Sequence, residues 1–285
     1  MIQYLYLGRV AYDEALQLQA ELVELRYQER IGNVLLLLEH PPVLTLGRNA
    51  HRANVLASDE LLAQRGVTLH DINRGGDVTY HGPGQLIGYP IFDLRSLRNP
   101  SGGRMGPVDF VRQMEEALIR LCGVFGLRAG RIAGLTGVWC GVNLDGSERQ
   151  AVAGPERKIG AIGIHVSRGI TSHGFAFNVR TDLRDFSLIN PCGITDRPVT
   201  SLEQEVEQPE ELPALEAIAH QAARQFGLVF DQQVLAIENL DTLRDQAASA
   251  QPASTERNFP AEDTPLQVPA EVERLKHGPE PTFRA

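Results

Sequence analysis

Lysine is almost missing from this 285-residue chain. Of 27 basic residues only Lys158 and Lys276 are lysines, and Lys276 sits in a polar, proline-rich C-terminal stretch. Lys158 is therefore the single lysine of the part expected to fold. Arginine keeps its charge in any protein environment, whereas a lysine can be tuned to release a proton, so Lys158 marks a place where a proton can move. It lies in Arg157-Lys158-Ile159-Gly160-Ala161-Ile162-Gly163-Ile164, a small and apolar setting that partly desolvates an ammonium and favours the neutral amine. Cysteine is scarce too. Cys122, Cys140 and Cys192 show no paired pattern and no C-x-x-C spacing, which excludes a disulfide framework and a zinc site and points to a reducing cytoplasm. No apolar run approaches the ~18–20 residues of a membrane span, and the N-terminal segment lacks the basic start and apolar core of a secretory signal. A net charge of −9 argues against nucleic acid as a partner. An acidic protein partner would need a local basic patch, for which the loop Arg95 to Arg104, with three arginines and no acid, is a candidate.

What is abundant is chemistry in one short stretch. Arg74-Gly-Gly-Asp-Val-Thr-Tyr-His-Gly-Pro-Gly-Gln-Leu-Ile-Gly-Tyr-Pro90 packs five glycines and two prolines into seventeen residues. A hairpin needs one glycine at its turn, not Gly75-Gly76 followed by Gly82-Pro83-Gly84. Bare backbone interleaved with a cation, a carboxylate, a hydroxyl, a phenol and an imidazole suits a cradle for a ligand.

The rest of the pattern alternates helices and strands. Ala11, Ala15, Leu18, Leu22 and Leu25 trace one apolar stripe on a helix over 11–30. Strands are predicted at Val34–Leu38 and Val43–Leu46, then a helix from about Ser58 to Arg65 before Gly66. Further strands fall near Val67–Ile72, Asp77–Tyr80 and Gln85–Phe92. Pro107 opens the clearest helix, 107–125, and Gly126 stops it. Strands recur at Gly137–Val142, Lys158–Val166 and Ile170–Val179. Thr200-x-x-Glu203 reads as a capping box, and residues 210–226 as a last amphipathic helix ending at Gly227. From about Asp245 the composition turns to Ala, Ser, Gln, Pro and Glu, which cannot bury enough surface to offset its ordering entropy. The expectation is an α+β catalytic domain over residues 1–240, with a mixed, largely antiparallel sheet covered by helices, and a flexible tail over 245–285.

Cys192 sits between Pro191 and Gly193, so its thiol is expected on a turn, and a thiolate beside an ammonium is the attacking species. Cys140, after Trp139 in a strand, and Cys122, beside a helix stripe, read as small core residues.

Four blocks, Arg74-Gly-Gly-Asp-Val-Thr-Tyr-His-Gly-Pro-Gly-Gln85, Lys158-Ile-Gly-Ala-Ile-Gly163, Ser172-His-Gly-Phe-Ala-Phe-Asn178 and Asn190-Pro-Cys-Gly-Ile194, together resemble the octanoyl-[acyl-carrier-protein]:protein N-octanoyltransferases of lipoate biosynthesis, over roughly residues 5–230. The resemblance implies the biotin/lipoate protein ligase fold. It implies that Cys192 carries the acyl group and Lys158 adjusts its reactivity. It also assigns acyl-substrate contacts to Arg74, Gly75, Gly76, Asp77, Val78, Thr79, Tyr80 and His81, to Ala161, Ile162 and Gly163, and to Gly174, Phe175 and Ala176. The insert Leu144–Pro155 and the tail fall outside it. The donor it implies is octanoyl-acyl carrier protein, and the acceptors are lipoyl domains of 2-oxoacid dehydrogenase and glycine cleavage complexes.

The expected chemistry is an octanoyl or lipoyl group passing through a Cys192 thioester to a lipoyl-domain lysine, with Lys158 as base. Thioester exchange is nearly isoenergetic, so no cofactor and no metal is expected. The N–H of Cys192 or Gly193 is a source of oxyanion donors. His81 and His173 are open to either an orienting or a structural role. Two other readings compete: an ATP-dependent lipoate or biotin ligase, which needs no cysteine nucleophile, and a non-catalytic binding protein, which would not need to keep Cys192 and Lys158.

Overall fold

The computed structural model describes residues 1–142, 155–190 and 197–250. In chain order these residues form β1 (Ile2–Arg9), α1 (Tyr12–Tyr27), β2 (Asn33–Glu39), β3 (Val43–Leu46), α2 (Asp59–Gln64), β4 (Thr68–Asp71), β5 (Val78–His81), β6 (Gln85–Ile91), α3 (Pro107–Val124), β7 (Ala129–Ile132), β8 (Leu135–Cys140), β9 (Arg157–Ser167), β10 (Ile170–Asn178), α4 (Leu202–Glu205), α5 (Leu215–Val229), β11 (Val234–Ala236) and α6 (Leu240–Ser249). A large sheet has the order β11-β1-β2-β6-β10-β9-β8-β7, and a small one the order β4-β3-β5. β1 runs parallel to β2 and β11, and every other pair of the large sheet is antiparallel. The fold is α+β with a mixed, largely antiparallel sheet, as the pattern predicts. No helix among the described residues is long and apolar enough to cross a membrane.

Helices cover both faces of the large sheet, which is why β2 reads as a continuous apolar run rather than an alternation. Leu35 and Leu37 point to the face packed by Phe110, Met114 and Leu118 of α3 and by Ile218 and Phe226 of α5. Val34, Leu36 and Leu38 point to the other face, against Ala15, Leu18 and Leu22 of α1. Each such leucine, fully buried, contributes about 1.5–3 kcal/mol. The small sheet has its own cluster, with Leu44, Leu46, Val55, Leu62, Val78 and Tyr80.

Several expectations are corrected. The last amphipathic helix does not begin at residue 210: Pro209–Glu211 form a single 3-10 turn, residues 212–214 with Pro213 are non-helical, and α5 runs past Gly227 to Val229. Thr200 does not cap α4. Ser201 holds that position without a side-chain bond, while the Thr200 hydroxyl donates to Glu205 Oε1 at 2.7 Å and the Glu203 N–H donates to the Val179 carbonyl. β1, β7 and β11 carry no strong sequence signal, and β1 and β11 are fixed by parallel pairing from distant parts of the chain. α6 crosses the composition change at residue 245, with Leu243 and Ala247 buried in the α1-side core, so the folded part reaches Ser249. The expected tail from 251 onward lies outside the described residues.

Candidate active site

On the α1 side of the large sheet, one face of the β9–β10 hairpin carries almost no side chain. Ala161 pairs with Ala176 and Gly163 with Gly174, so a groove opens above them. Neighbouring backbone keeps these positions small. A Cβ at Gly163 would stand 2.6 Å from the Gly75 carbonyl oxygen, and one at Gly174 would collide with the Gly88 carbonyl. The Gly75 N–H donates to the Ile164 carbonyl at 2.9 Å and brings the glycine-rich segment over the groove. The result is a cavity of about 820 Å³ including its open mouth.

Arg74, Gly75, Gly76, Asp77, Val78, Thr79, His81, Lys158, Ala161, Ile162, Gly163, Gly174, Phe175 and Ala176 all line it. Three blocks far apart in sequence thus converge on one space. Tyr80 does not line it. Its side chain alternates to the opposite face of β5, packs on Phe186 and donates its hydroxyl to Asp185 Oδ2 at 2.9 Å, which makes it a support of the small sheet. Cys192 lies outside the described residues, as do Pro191 and Gly193.

The structure adds cavity residues that sequence reasoning did not single out: Tyr12, Gln85, Tyr89, Asn178, Phe186 and Val199. Gln85, Tyr89 and Asn178 belong to blocks already marked by their motifs. Tyr12 gave no signal beyond the start of a helix.

Lys158 is half-buried at the mouth. The β8–β9 register slips by one residue between the pairs Val138–Gly160 and Trp139–Lys158. Gly160 faces Leu118 and Phe177 in the α3-side core, so strict alternation would send Lys158 there too. The extra residue of the bulge re-aims it into the cavity. Its Nζ rests 5.1 Å from the centroid of the buried Trp139 ring. Gly137 gives the lysine stem room: at φ +126°, a Cβ there would lie 2.7 Å from Lys158 Cε and 2.5 Å from the Gly160 carbonyl oxygen. The Gly137 N–H is held at 3.0 Å by Oε1 of fully buried Glu115, whose Oε2 accepts from Arg112 and Arg131.

A line of hydrogen bonds joins the glycine-rich segment to this lysine. The His81 Nδ1–H donates to Gln85 Oε1 at 2.8 Å, Gln85 Nε2 to Asn178 Oδ1 at 2.9 Å, Asn178 Nδ2 to the Thr200 carbonyl at 2.8 Å, and the Thr200 N–H to the Lys158 carbonyl at 2.9 Å. That tautomer follows from Gln85, whose nitrogen is already used as a donor. The Lys158 N–H in turn donates to the Pro198 carbonyl, and the Asn190 N–H to the Asn54 carbonyl, so the described residues on both sides of the Cys192 block are anchored.

The other two thiols are unavailable. Cys122 and Cys140 lie in the α3-side core. Burial pushes the Cys140 thiol up to about 12 and the Cys122 thiol well above its ordinary range, so neither is a thiolate near neutral pH. Burial likewise keeps the cavity histidines neutral, with His81 and His173 lowered to about 3 and His40, behind Tyr89, to about 4. The basic loop Arg95 to Arg104 is placed away from the site. The Leu94 N–H donates to the Gly169 carbonyl, at the far end of β9, roughly 30 Å along the strand from Lys158 at about 3.3 Å per residue.

The lipoyl protein ligase A/B catalytic domain family matches residues 11–226. Lipoate-protein ligase A bound with ATP aligns with a TM-score of 0.57 at 16% identity, over 87% of this chain and 93% of that one. A bipartite lipoate protein ligase of Thermoplasma acidophilum aligns with a TM-score of 0.59 at 17% identity, over 87% and 91%. At those identities the likeness defines the fold, that of lipoate protein ligases. Two relatives are far closer in sequence, both named octanoyltransferase. The one from Acidobacterium capsulatum is 59% identical over 87% of this chain and 98% of its own length, and the one from Koribacter versatilis is 53% identical over 85% and 90%. The chain belongs to the octanoyltransferase family.

Proposed function

We propose that the chain transfers octanoyl groups to proteins in lipoylation, by way of an acyl-enzyme on Cys192. The observation that carries the reading is the convergence of Lys158, the glycine-rich segment and the β9–β10 groove on one cavity. Cys192 thiolate attacks the thioester carbonyl of octanoyl-acyl carrier protein, and the carrier's phosphopantetheine thiol leaves with a proton. The amine of a lipoyl-domain lysine then attacks the new thioester, an amide forms, and Cys192 leaves as thiolate. The incoming lysine must shed a proton, and Lys158 accepts it. The Trp139 ring lies 5.1 Å beneath the Lys158 Nζ and holds it at the cavity mouth. Burial of Cys122 and Cys140 in the core supports Cys192, the cysteine that the family resemblance assigns, as the nucleophile. The groove over Ala161, Gly163, Gly174 and Ala176 takes the acyl chain, and Arg74 to Thr79 close over it. Acceptors are lipoyl domains of 2-oxoacid dehydrogenase and glycine cleavage complexes. A reducing cytoplasm suits a working thiolate.

Intact-protein mass spectrometry after incubation with octanoyl-acyl carrier protein tests this reading. An octanoyl adduct on Cys192 is expected without ATP, released by hydroxylamine and transferred to a lipoyl domain. Activation of free octanoate by ATP, with no adduct, would show a ligase instead, the activity of structural neighbours with the same fold.

A further inference from the structure

We infer that His173 and Tyr12 form a rigid stop that sets the length of acyl chain the cavity accepts. The inference rests on the groove being the acyl site.

The cavity has one open and one closed end. Lys158, Phe186 and Val199 are half-buried at the mouth. At the other end Tyr12, Tyr89 and His173 are only 4–5% exposed. This end is aromatic and tied by hydrogen bonds rather than aliphatic. The His40 Nδ1–H donates to the Val10 carbonyl at 2.7 Å, so His40 Nε2 accepts from the Tyr89 hydroxyl, also at 2.7 Å. Tyr12 stacks on His81 at 11° between ring planes and meets His40 edge-on at 5.0 Å.

His173 is the most constrained member. It pairs with Ile164 across the hairpin, and Ile164 packs on the α3-side core, so an ordinary strand residue at 173 would face that core. Instead the backbone takes φ +54°, a left-handed conformation that non-glycine residues adopt only at a cost in strain, and that clusters at functional sites. The turn is secured by the His173 N–H donating to Gln19 Oε1 at 2.7 Å, and the ring by Nε2 against Asn73 Oδ1 at 2.7 Å. The ring thus lines the cavity at its closed end. An aliphatic wall repacks around a longer chain, whereas rings pinned by hydrogen bonds do not give way. Burial keeps His40, His81 and His173 neutral, so an apolar chain end meets ring faces and edges rather than imidazolium charge.

The test measures the chain-length profile with hexanoyl-, octanoyl-, decanoyl- and dodecanoyl-acyl carrier protein in competition, for the wild type and two variants. His173→Asn shortens the side chain while tolerating the left-handed backbone. Tyr12→Leu shortens the wall from a different element. Melting temperatures identify which variants remain folded. One methylene more or less in an apolar pocket changes discrimination by roughly 10–200-fold. A folded variant is expected to raise decanoyl or dodecanoyl transfer relative to octanoyl by at least about tenfold. A wild type that transfers octanoyl, with both variants keeping its length profile, overturns the inference alone. A wild type that transfers no acyl group from any carrier overturns the transfer reading and this inference with it.

Discussion

The ammonium nitrogen of Lys158 stands 5.1 Å from the centroid of the Trp139 ring, over an indole that is itself fully buried. Gly137, two residues before Trp139, clears the path for the lysine stem, and Glu115 behind it fixes that glycine's N–H. Lys158 is therefore seated against β8, and Glu115 of α3 supports that seat through the backbone of residue 137.

A cation–π contact at a half-buried site is worth about 1–2 kcal/mol, so losing the ring face should matter to the lysine more than losing its volume. Trp139→Leu is expected to lower kcat/KM for octanoyl transfer by roughly tenfold, and Trp139→Phe to recover most of the loss. In a Lys158→Ala background the two variants should be indistinguishable, because nothing remains for the ring to seat. A double-mutant cycle reads this directly. An equal loss from Leu and Phe in both backgrounds would mean that Trp139 is only a core residue.

The site was more legible in the sequence than the topology. The glycine-rich segment and the Gly163 and Gly174 region advertise themselves because close backbone approach admits little but glycine, and Lys158 because the sequence otherwise writes its positive charge as arginine. Tyr80 stands outside the cavity lining because a motif marks a stretch and strand alternation sends every second residue away. Tyr12 was missed because an aromatic residue at a helix start carries no local signature. β1 and β11 were unreadable for a related reason: three paired residues at Val234–Ala236 leave no period to detect, and the partner lies at the other end of the chain. Thr200 and Ser201 compete for one cap, and the contest is decided by Glu205, which captures the threonine hydroxyl.

The C-terminal boundary is open to a direct check. α6 buries Leu243 and Ala247 and ties Arg30 to the Ala247 carbonyl at 2.8 Å. Ending the chain after Asn239 should cost roughly 2–4 kcal/mol and several degrees of Tm. Its Arg244–Glu21 pair, 49% and 37% exposed, adds little. Ending the chain after Ala250 should leave Tm and transfer rate unchanged, since the polar composition beyond offers little to bury. A drop in Tm from the second truncation would show that the tail packs on the domain.

The neutral histidines make stability depend on pH in a defined direction. His40 is lowered to about 4, and His81 and His173 to about 3, by burial first of all. Below the unfolded value of about 6.5 the unfolded chain takes up protons that the folded chain refuses, so stability is complete above that pH and falls as pH drops towards the folded values. Each histidine contributes up to about 1.4 kcal/mol per pH unit in that window. Carboxylates lowered by their arginine partners, such as Glu205 with Arg157, begin to cost stability only near pH 4.5 and below. Urea midpoints should therefore fall steadily from pH 6.5 to 5. Midpoints flat across that interval would mean that the three rings accept protons in the folded state.

Lys158→Arg separates charge from proton transfer. If Lys158 serves only as a cation beside the nucleophile, arginine keeps most of the activity. If it must also take the proton of the incoming lysine, arginine fails, because a guanidinium does not deprotonate at working pH. Gly137 and the Trp139 face leave a narrow seat shaped to an alkyl stem, and a planar guanidinium would not reproduce the position of Nζ. The variant is expected to form the octanoyl-enzyme at a reduced rate and then to stall, with transfer to the lipoyl domain slowed by ~10²–10⁴-fold, the usual cost of a lost general base. Rapid-quench measurement of the two half-reactions resolves them. Near-normal transfer from the acylated Arg variant would confine Lys158 to electrostatics and leave the base to be sought elsewhere along the cavity.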